Sequence, residues 1–490
     1  MASIIQSYAG VTTPAFLIVE RVSFQVLPQS QIKTLNTPFK SGEYYINKEY
    51  GVRTFTADVA IKTSSGQSVM DYADDLAEWL HHEEPMELIF RDKPSITYYA
   101  QVDNSIDIQK FGNSGRGQIT FVCYDPHGYG AERTFAFSPL NTDPINITNG
   151  GNTKAHPVMS MEFAKNVTDF AIMSDNNMLY FGEPFDQSIH TPADLNPRIF
   201  NDNMSTLTGW TAGVTVDDGV VAGTLYSTGQ TFKQNGSYGT GTKWHGGSLM
   251  KSLPREVQDF TVEVLVNMGK ATNNMLGRIE CYLLDVNLNK IGKIAYQDAS
   301  STIYNPTFKA VAGPQATGKV IVNSPEGYLR INKKKAPINV RDIYGWLKLT
   351  RKGKKYTASI YAEVNGKRYL LNEVSWTDTK NLYNKKLASI QIHISAHGNS
   401  PAIGTMSINH INVFEHLPKP TVDTKDYVFR TGDILTIDNA TGEILKNGEA
   451  FYEDLYPTSS FISLDKGVNG ISVSDPAIIN GTIIFKERWL

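Results

Sequence analysis

Apolar and polar residues alternate along most of this chain, and one stretch departs clearly from that period of two. In "RTFTADVAIKT", Phe55, Ala57, Val59 and Ile61 fall on one side and Thr56, Asp58 and Lys62 on the other, with Ala60 breaking the polarity. That is the pattern of a half-buried strand. "AFLIVERVSFQVLP", "MELIFRD", "ITYYAQVDNSIDIQKF" and "GRGQITFVCYDP" are further strand-like runs. The exception is "SVMDYADDLAEWLHHEEP", where Val69, Ala73, Leu76 and Leu80 recur at helical spacing. Ser68 and Asp71 fit the S-x-x-D helix start, and Pro85 follows the end. Residues 1–140 are thus expected to form a mostly β unit with one helix.

From about 141 the pattern begins again. "HPVMSMEFA" and "DFAIMSDNNMLYFGEPF" are strand-like, with Asp175-Asn-Asn177 as a turn. A connector carrying Pro192 and Pro197 follows. Residues 200–416 then show strand after strand at short spacing, with Lys352-Gly353 and Asn365-Gly366 as hairpin signals and no helical pattern. A two-sheet sandwich of the jelly-roll kind is the economical expectation. A second connector with Pro418 and Pro420 leads to strands in 424–490, among them "DILTID", "GEILKNG" and "GTIIFKERW". Neither 141–199 nor 424–490 is long enough to bury a core alone. Together they make about 125 residues, an ordinary domain size. The expected fold is therefore mainly β: an N-terminal β-sandwich with one helix, then a second sandwich (141–199 plus 424–490) split by an inserted jelly roll at 200–416. The ends of such an insertion must lie close together.

Composition narrows the function classes. Lys+Arg is 46 against Asp+Glu 49, so the net charge of -3 gives no general reason to bind nucleic acid. The two cysteines, Cys123 and Cys281, fall in different predicted units, which excludes a disulfide framework or a cysteine-rich zinc site. Each is expected to be a small core residue. The first residues show no basic region before their apolar ones, so no secretory leader is expected. No stretch approaches the ~18 apolar residues of a membrane span, so no membrane insertion is expected. The expected place of synthesis is a cytoplasm.

At this point "GVRTFTADVAI", "YADDLAEWLHHEEPMELIFRDKPSITYYAQVD" and "GRGQITFVCYDPHGYG" resemble the N-terminal domain of the distal tail (Dit) proteins of long-tailed phages infecting Gram-positive bacteria. The split unit is similar to that family's galectin-like C-terminal domain. It opens with "GNTKAHPVMSMEF" and resumes with "GDILTIDNATGEILKNG" and "GTIIFKERWL". The resemblance covers about 1–199 and 424–490, a little over half the chain. It implies a homohexameric, ring-forming hub at the virion tail tip, between the tail tube protein above and the tail-associated lysin or spike below. Longer, "evolved" members carry carbohydrate-binding modules inserted in the galectin-like domain, where 200–416 sits. "FNDNMSTLTGWTAG" resembles the opening strand of carbohydrate-binding jelly rolls. The insert is then expected to bind host cell-wall saccharide. The alternatives are a wall-degrading glycoside hydrolase or a module that docks another baseplate protein.

Candidate chemistry follows from this. His393 and His397 are four apart, but four strand residues span ~13 Å, too far for two ligands of one zinc. No metal and no cofactor are expected. A hydrolase would need two carboxylates across a cleft. Glu263 and Glu280 lie in strand-like runs, where a solvated face is the ordinary role. Sugar binding instead uses flat aromatic faces beside groups that read hydroxyls. Trp244, in the Gly-rich "YGTGTKWHGGS" with Tyr238 and His245, is the leading candidate, on an expected exposed loop. Trp376 is undecided, while Trp210 and Trp346 are expected in the core. The hairpin tip "TRKGKKY" gathers Arg351, Lys352, Lys354 and Lys355, a solvated turn or a contact for anionic wall polymers. For the ring, Tyr44, Tyr45 and Tyr50 in the long loop before Gly51 are candidate anchors, with core packing the competing role. Asp438–Glu443 lacks calcium-loop spacing and is expected to be a turn, its Asn439 sequon idle.

Overall fold

In a computed structural model the residues described are 4–39, 41–63, 68–103, 108–111, 114–137, 144–183, 190–269, 272–314, 316–325, 329, 340, 342–419, 424–474 and 478–490. The chain is almost entirely β, as the alternation predicted. Arg53–Lys62 runs antiparallel between Leu17–Phe24 and Ser114–Cys123. Its odd positions are buried and its even positions half-exposed, so the period of two sets which face packs inward. The predicted helix is present but shorter. Val69–Tyr72 is a 3-10 turn, and the α-helix spans Ala73–Leu80. Ser68 Oγ accepts from the Met70 amide, and the Ser68 amide donates to Asp71 at 2.6 Å, a complete capping box. Leu76, Trp79 and Leu80 face the core while Ala73 does not.

The first unit does not end cleanly at its last strand. Gly128–Phe137 pairs with Ile478–Trp489, which on its other side pairs with Val158–Phe163. Among the described residues one 14-strand sheet therefore runs from Ile5–Tyr8 into the strands that follow the insertion. Val158–Phe163 also pairs with Ile434–Asp438. A second sheet, in the order Ile145–Asn149, Gly467–Val473, Phe170–Ser174, Met178–Phe181, covers it. Both segments flanking the insertion thus contribute to both sheets. Between them lies an aromatic core in which Phe429 stacks on Phe163 at 4.3 Å and meets Phe181 and Phe451 edge-on or tilted. Asn439, the sequon residue, is buried. It donates to the Pro157 carbonyl and accepts from the Ile462 amide, so its amide is a structural tie.

Among the described residues between Arg198 and Glu415 the chain makes two eight-stranded sheets. One contains Phe260–Gly269, Ile343–Lys352, Lys355–Val364, Lys367–Thr377 and Thr405–Glu415. The other contains Trp244–Val257, Gly277–Leu284, Lys290–Asp298, Thr307–Ala312 and Leu387–His397. Val262, Val264, Val266, Ile279, Cys281, Ile390, Ile392 and Ile394 meet between them. Among the described residues this region holds no helix. Cys123 and Cys281 are both buried and unpaired. Burial pushes the Cys281 thiol up to about 12, and burial pushes Cys123 to about 12 against the lowering effect of Arg53.

Two outcomes follow. Phe429→Ala is expected to cost the split sandwich ~3–5 kcal/mol through a buried aromatic cavity, read as a lowered transition in calorimetry while the transition of the 198–415 sandwich stays in place. Both thiols are expected to be inert to a disulfide reagent at pH 8 in the folded chain and to titrate fully in denaturant.

Candidate functional site

The charged residues of the second insert sheet are placed by strand alternation. Arg278, Glu280 and Tyr282 point away from the apolar core, beside Gln391, His393 and Ser395 on the neighbouring strand. Alternation alone predicts a solvated face. The structure corrects this, because every residue of Gly277–Leu284 is buried. The segment from Gly213 to Val221 lies across this face as a strap. The Val214 amide donates to Gln391, the Asp217 amide to the Tyr282 hydroxyl, and Arg278 to the Asp217 carbonyl. Gly213 and Gly219 permit the close approach, since a Cβ would fall 2.1 Å from Ser248 Oγ and 2.2 Å from the Trp244 carbonyl respectively.

Glu280 is the centre of this buried network. It accepts from Arg278 at 2.8 Å, Lys293 at 2.9 Å and the Tyr282 hydroxyl at 2.7 Å, with His393 Nδ1 at 3.2 Å. Lys293 also reaches Asp217 at 2.9 Å. Burial opposes the charge on Glu280, but Arg278, Lys293 and His393 outweigh it and hold the carboxyl well below its ordinary value. Glu263 lies on the other sheet and pairs with Lys348 at 3.2 Å and Arg368 at 3.5 Å. The two glutamates considered as a hydrolytic pair therefore belong to separate ionic networks on separate sheets. Neither carboxylate is free to reach a substrate. Alternation could not find the Glu280 network, because the strap that buries it comes from a stretch about 60 residues earlier with little pattern of its own.

The predicted sugar residues are not gathered in one place. Trp244 was expected on an exposed loop. It begins a 14-residue strand and is buried, with the Arg278 guanidinium 4.6 Å over its ring and His397 edge-on at 4.9 Å. It does line an open cleft of about 380 Å³, with Val216, Asp218, Gly219, Thr242 and Lys243. Tyr238 packs against the insert core, and burial raises its hydroxyl to about 12. His245 is buried between the carbonyls of Tyr238 and Gly398, so it supports the loop from beneath. Trp376 lies on the other sheet, half-buried against Tyr356 and Tyr383. Trp210 is buried as expected and donates to Asp202. Trp346 is buried too, but outside the two-sheet core, under the Arg368 guanidinium at 4.0 Å.

The basic hairpin needs one correction. Arg351 is buried, with its guanidinium near the rings of Phe260 and Tyr356 and a bond to the Lys385 carbonyl. Lys352, Lys354 and Lys355 remain exposed. In the first unit, Tyr44 and Tyr45 are exposed at 51% and 66%, on a two-stranded hairpin formed by Ser30–Leu35 and Tyr44–Tyr50, and Tyr50 is half-buried. Among the described residues no three His, Cys, Asp or Glu side chains converge as metal ligands.

Comparison with known proteins adds the family. Residues 15–123 match the phage tail protein RIFT-related domain, and residues 415–489 match the C-terminal domain of the siphovirus-type tail component. Among solved structures, the chain is similar to the Dit protein of phage SPP1, described as a hub of the adsorption apparatus in phages infecting Gram-positive bacteria. The identity is 19%, over 37% of this chain and 74% of that one, with a TM-score of 0.31. It is similar to the CBM2 module of the evolved Dit of Lactobacillus casei BL23 phage J-1, at 14% identity over 46% and 98%, TM-score 0.38. It is also similar to the catalytic domain of a Thermotoga petrophila laminarinase, at 12% identity over 46% and 99%, TM-score 0.29. These are likenesses of fold and say nothing of what this chain binds. No curated protein matches.

The chain thus carries two stretches of phage-tail-protein type in an almost all-β fold. Both matched segments are tail-protein domains, and a separate two-sheet sandwich lies between them.

The ionic network generates a signed prediction. The folded value for Glu280 lies below its reference of 4.5. Its contribution is therefore present above that pH and is lost as pH falls below it. Glu280→Gln leaves Arg278 and Lys293 without their shared partner and is expected to cost ~3–5 kcal/mol at pH 7. The gap between variant and native unfolding should narrow on acidification below pH 4.5, measured by thermal unfolding across pH 3–7.

Proposed function

We propose that this chain is the structural hub of a phage tail tip. It assembles as a homohexameric ring that joins the tail tube to the tail-associated lysin or spike, while the 200–416 insert binds host cell-wall saccharide during adsorption. We take 1–140 as the ring-forming unit and 141–199 with 424–490 as the galectin-like unit. The observation that carries the reading is the order of the matched segments, 15–123 and 415–489, on either side of a separate two-sheet sandwich.

Ring formation is supported by the hairpin at 30–50. A two-stranded ribbon is marginal alone, and this one joins none of the larger sheets. Ile32, Leu35, Tyr44, Tyr45 and Ile46 are all exposed on it. A second copy of the chain is the occupant that a closed ring supplies. Saccharide binding is supported by the cleft beside Trp244. A carboxylate residue (Asp218), a lysine (Lys243) and a threonine (Thr242) line it with Trp244, residue types that read sugar hydroxyls beside an apolar surface. The exposed Lys352, Lys354 and Lys355 offer an additional contact for anionic wall polymers.

Two measurements check this. Native mass in solution is expected to equal six chains, and Tyr45→Asp with Ile46→Asp is expected to give monomers. The full chain is expected to bind purified Gram-positive wall polysaccharide, and Thr242→Trp, which fills the cleft, to weaken that about tenfold or more, ~1.4 kcal/mol. Unchanged binding in that variant would remove the cleft from the reading. Absence of binding to any wall polymer would remove adsorption itself.

A further inference from the structure

Among the described residues the insert touches the rest of the chain at two separate places. The first is its stem. Thr191–Pro192 pairs in parallel with Thr424–Lys425. Asp426 accepts from the Leu195 amide at 3.0 Å and the Asn196 side chain at 2.8 Å, and Arg430 reaches Asp194 at 2.7 Å and Asp426 at 2.5 Å. The Glu415 amide donates to the Pro197 carbonyl and the Leu417 amide to that of Leu195. The incoming and outgoing connectors are zipped into one strap.

The second place lies away from the stem, on the outer face of the first insert sheet. There the hairpin Glu443–Ala450 of the resumed sandwich lies against Lys348, Lys367 and Arg368. Glu449 accepts from Arg368 at 2.7 Å and sits 3.4 Å from Lys348. Lys367 pairs with Glu443. The Arg368 amide donates to the Gly448 carbonyl at 2.9 Å. Gly448 has φ +81°, and a Cβ there would fall 2.4 Å from the Gly366 carbonyl, so glycine permits both the turn and the close approach. Beneath, Arg368 lies on the Trp346 ring and Lys348 on Glu263. Burial opposes the charge on Lys348, but Glu263 and Glu449 outweigh it and raise the ammonium above its ordinary value.

Attachment at the stem alone leaves a hinge. A second contact off the hinge axis removes it. We infer that Glu449 and Glu443, with Lys348, Lys367 and Arg368, form a clamp that holds the insert in one orientation on the hub. The insert is then a fixed head, not a swinging one, whatever it binds. The clamp's charges are partly buried, where they are screened less than surface pairs. Glu263 shares Lys348 and Arg368 from the insert side, so removing Glu449 does not strand those two cations. The clamp can therefore be opened without unfolding either partner.

The test uses the full chain carrying Glu373→Cys on the insert and Glu453→Cys on the hub, both exposed, spin-labelled for distance measurement. The native thiols are buried and stay unlabelled. The clamp predicts one narrow distance distribution, which roughly doubles in width or shifts in Glu449→Ala/Lys367→Ala, with both unfolding transitions retained. Glu449→Gln/Lys367→Met keeps the shape closely and removes the charge, and is expected to give the same release. A broad distribution in the native background overturns the clamp. So does a distribution left narrow by the Gln variant, since charge would then not be what holds the two parts.

Discussion

Everything in this molecule hangs on one strand, Ile478–Trp489. It pairs with Gly128–Phe137 on one side and Val158–Phe163 on the other, so it joins the first unit to the split sandwich. It also follows the insert along the chain. The sheet can be completed only after the whole insert has been made and the chain has come back. Long-range pairing of this kind closes a large loop, whose entropy must be offset before any contact is gained. A fold that depends on it needs the loop to be self-sufficient and its ends to meet. Both hold: the insert has two sheets and its own core, and its connectors are bound by Asp194, Asp426 and Arg430.

The sequence made much of this legible and hid the rest for physical reasons. Period-two patterning named the strands of the first unit, and the Ser68–Asp71 signal placed the helix start. The shortage of core in 141–199 and 424–490 pointed to a split sandwich, and Phe163 stacked on Phe429 is the packing that such a split requires. Trp244 was more deceptive. Its glycine-rich surroundings suggest exposure, yet these glycines let backbone lie against backbone, at Gly219 on Trp244 and at Gly246 on Ile394. Arg351 sits at a hairpin tip in sequence, but alternation turns it inward onto Phe260 while Lys352 turns out. Strand polarity reveals which side a residue is on, and it cannot reveal what the other side is covered by.

That limit explains both outer faces of the insert. One is covered by the Gly213–Val221 strap, which buries Glu280, and the other by the Glu443–Ala450 hairpin, which meets Lys348 and Arg368. The first covering comes from a segment with little pattern of its own, and the second from a hairpin that sequence places beyond the end of the insert. Charge that looks solvated in sequence becomes the cement of the structure. The consequence for function is that the insert offers its edges and loops to a ligand, and the cleft bounded by Asp218, Thr242, Lys243 and Trp244 is such a place.

The central claim is that a sandwich completed by strands from both sides of the insertion is interrupted by a self-contained module. The most direct test is to replace residues 198–416 with a two-residue Gly-Ser linker, since Glu415 and Pro197 already lie within hydrogen-bonding distance. The account predicts a soluble remainder that unfolds cooperatively and keeps the native oligomeric mass, with amides of Ile478–Trp489 still protected from exchange. A remainder that is unfolded or aggregated, with that strand unprotected, would contradict it.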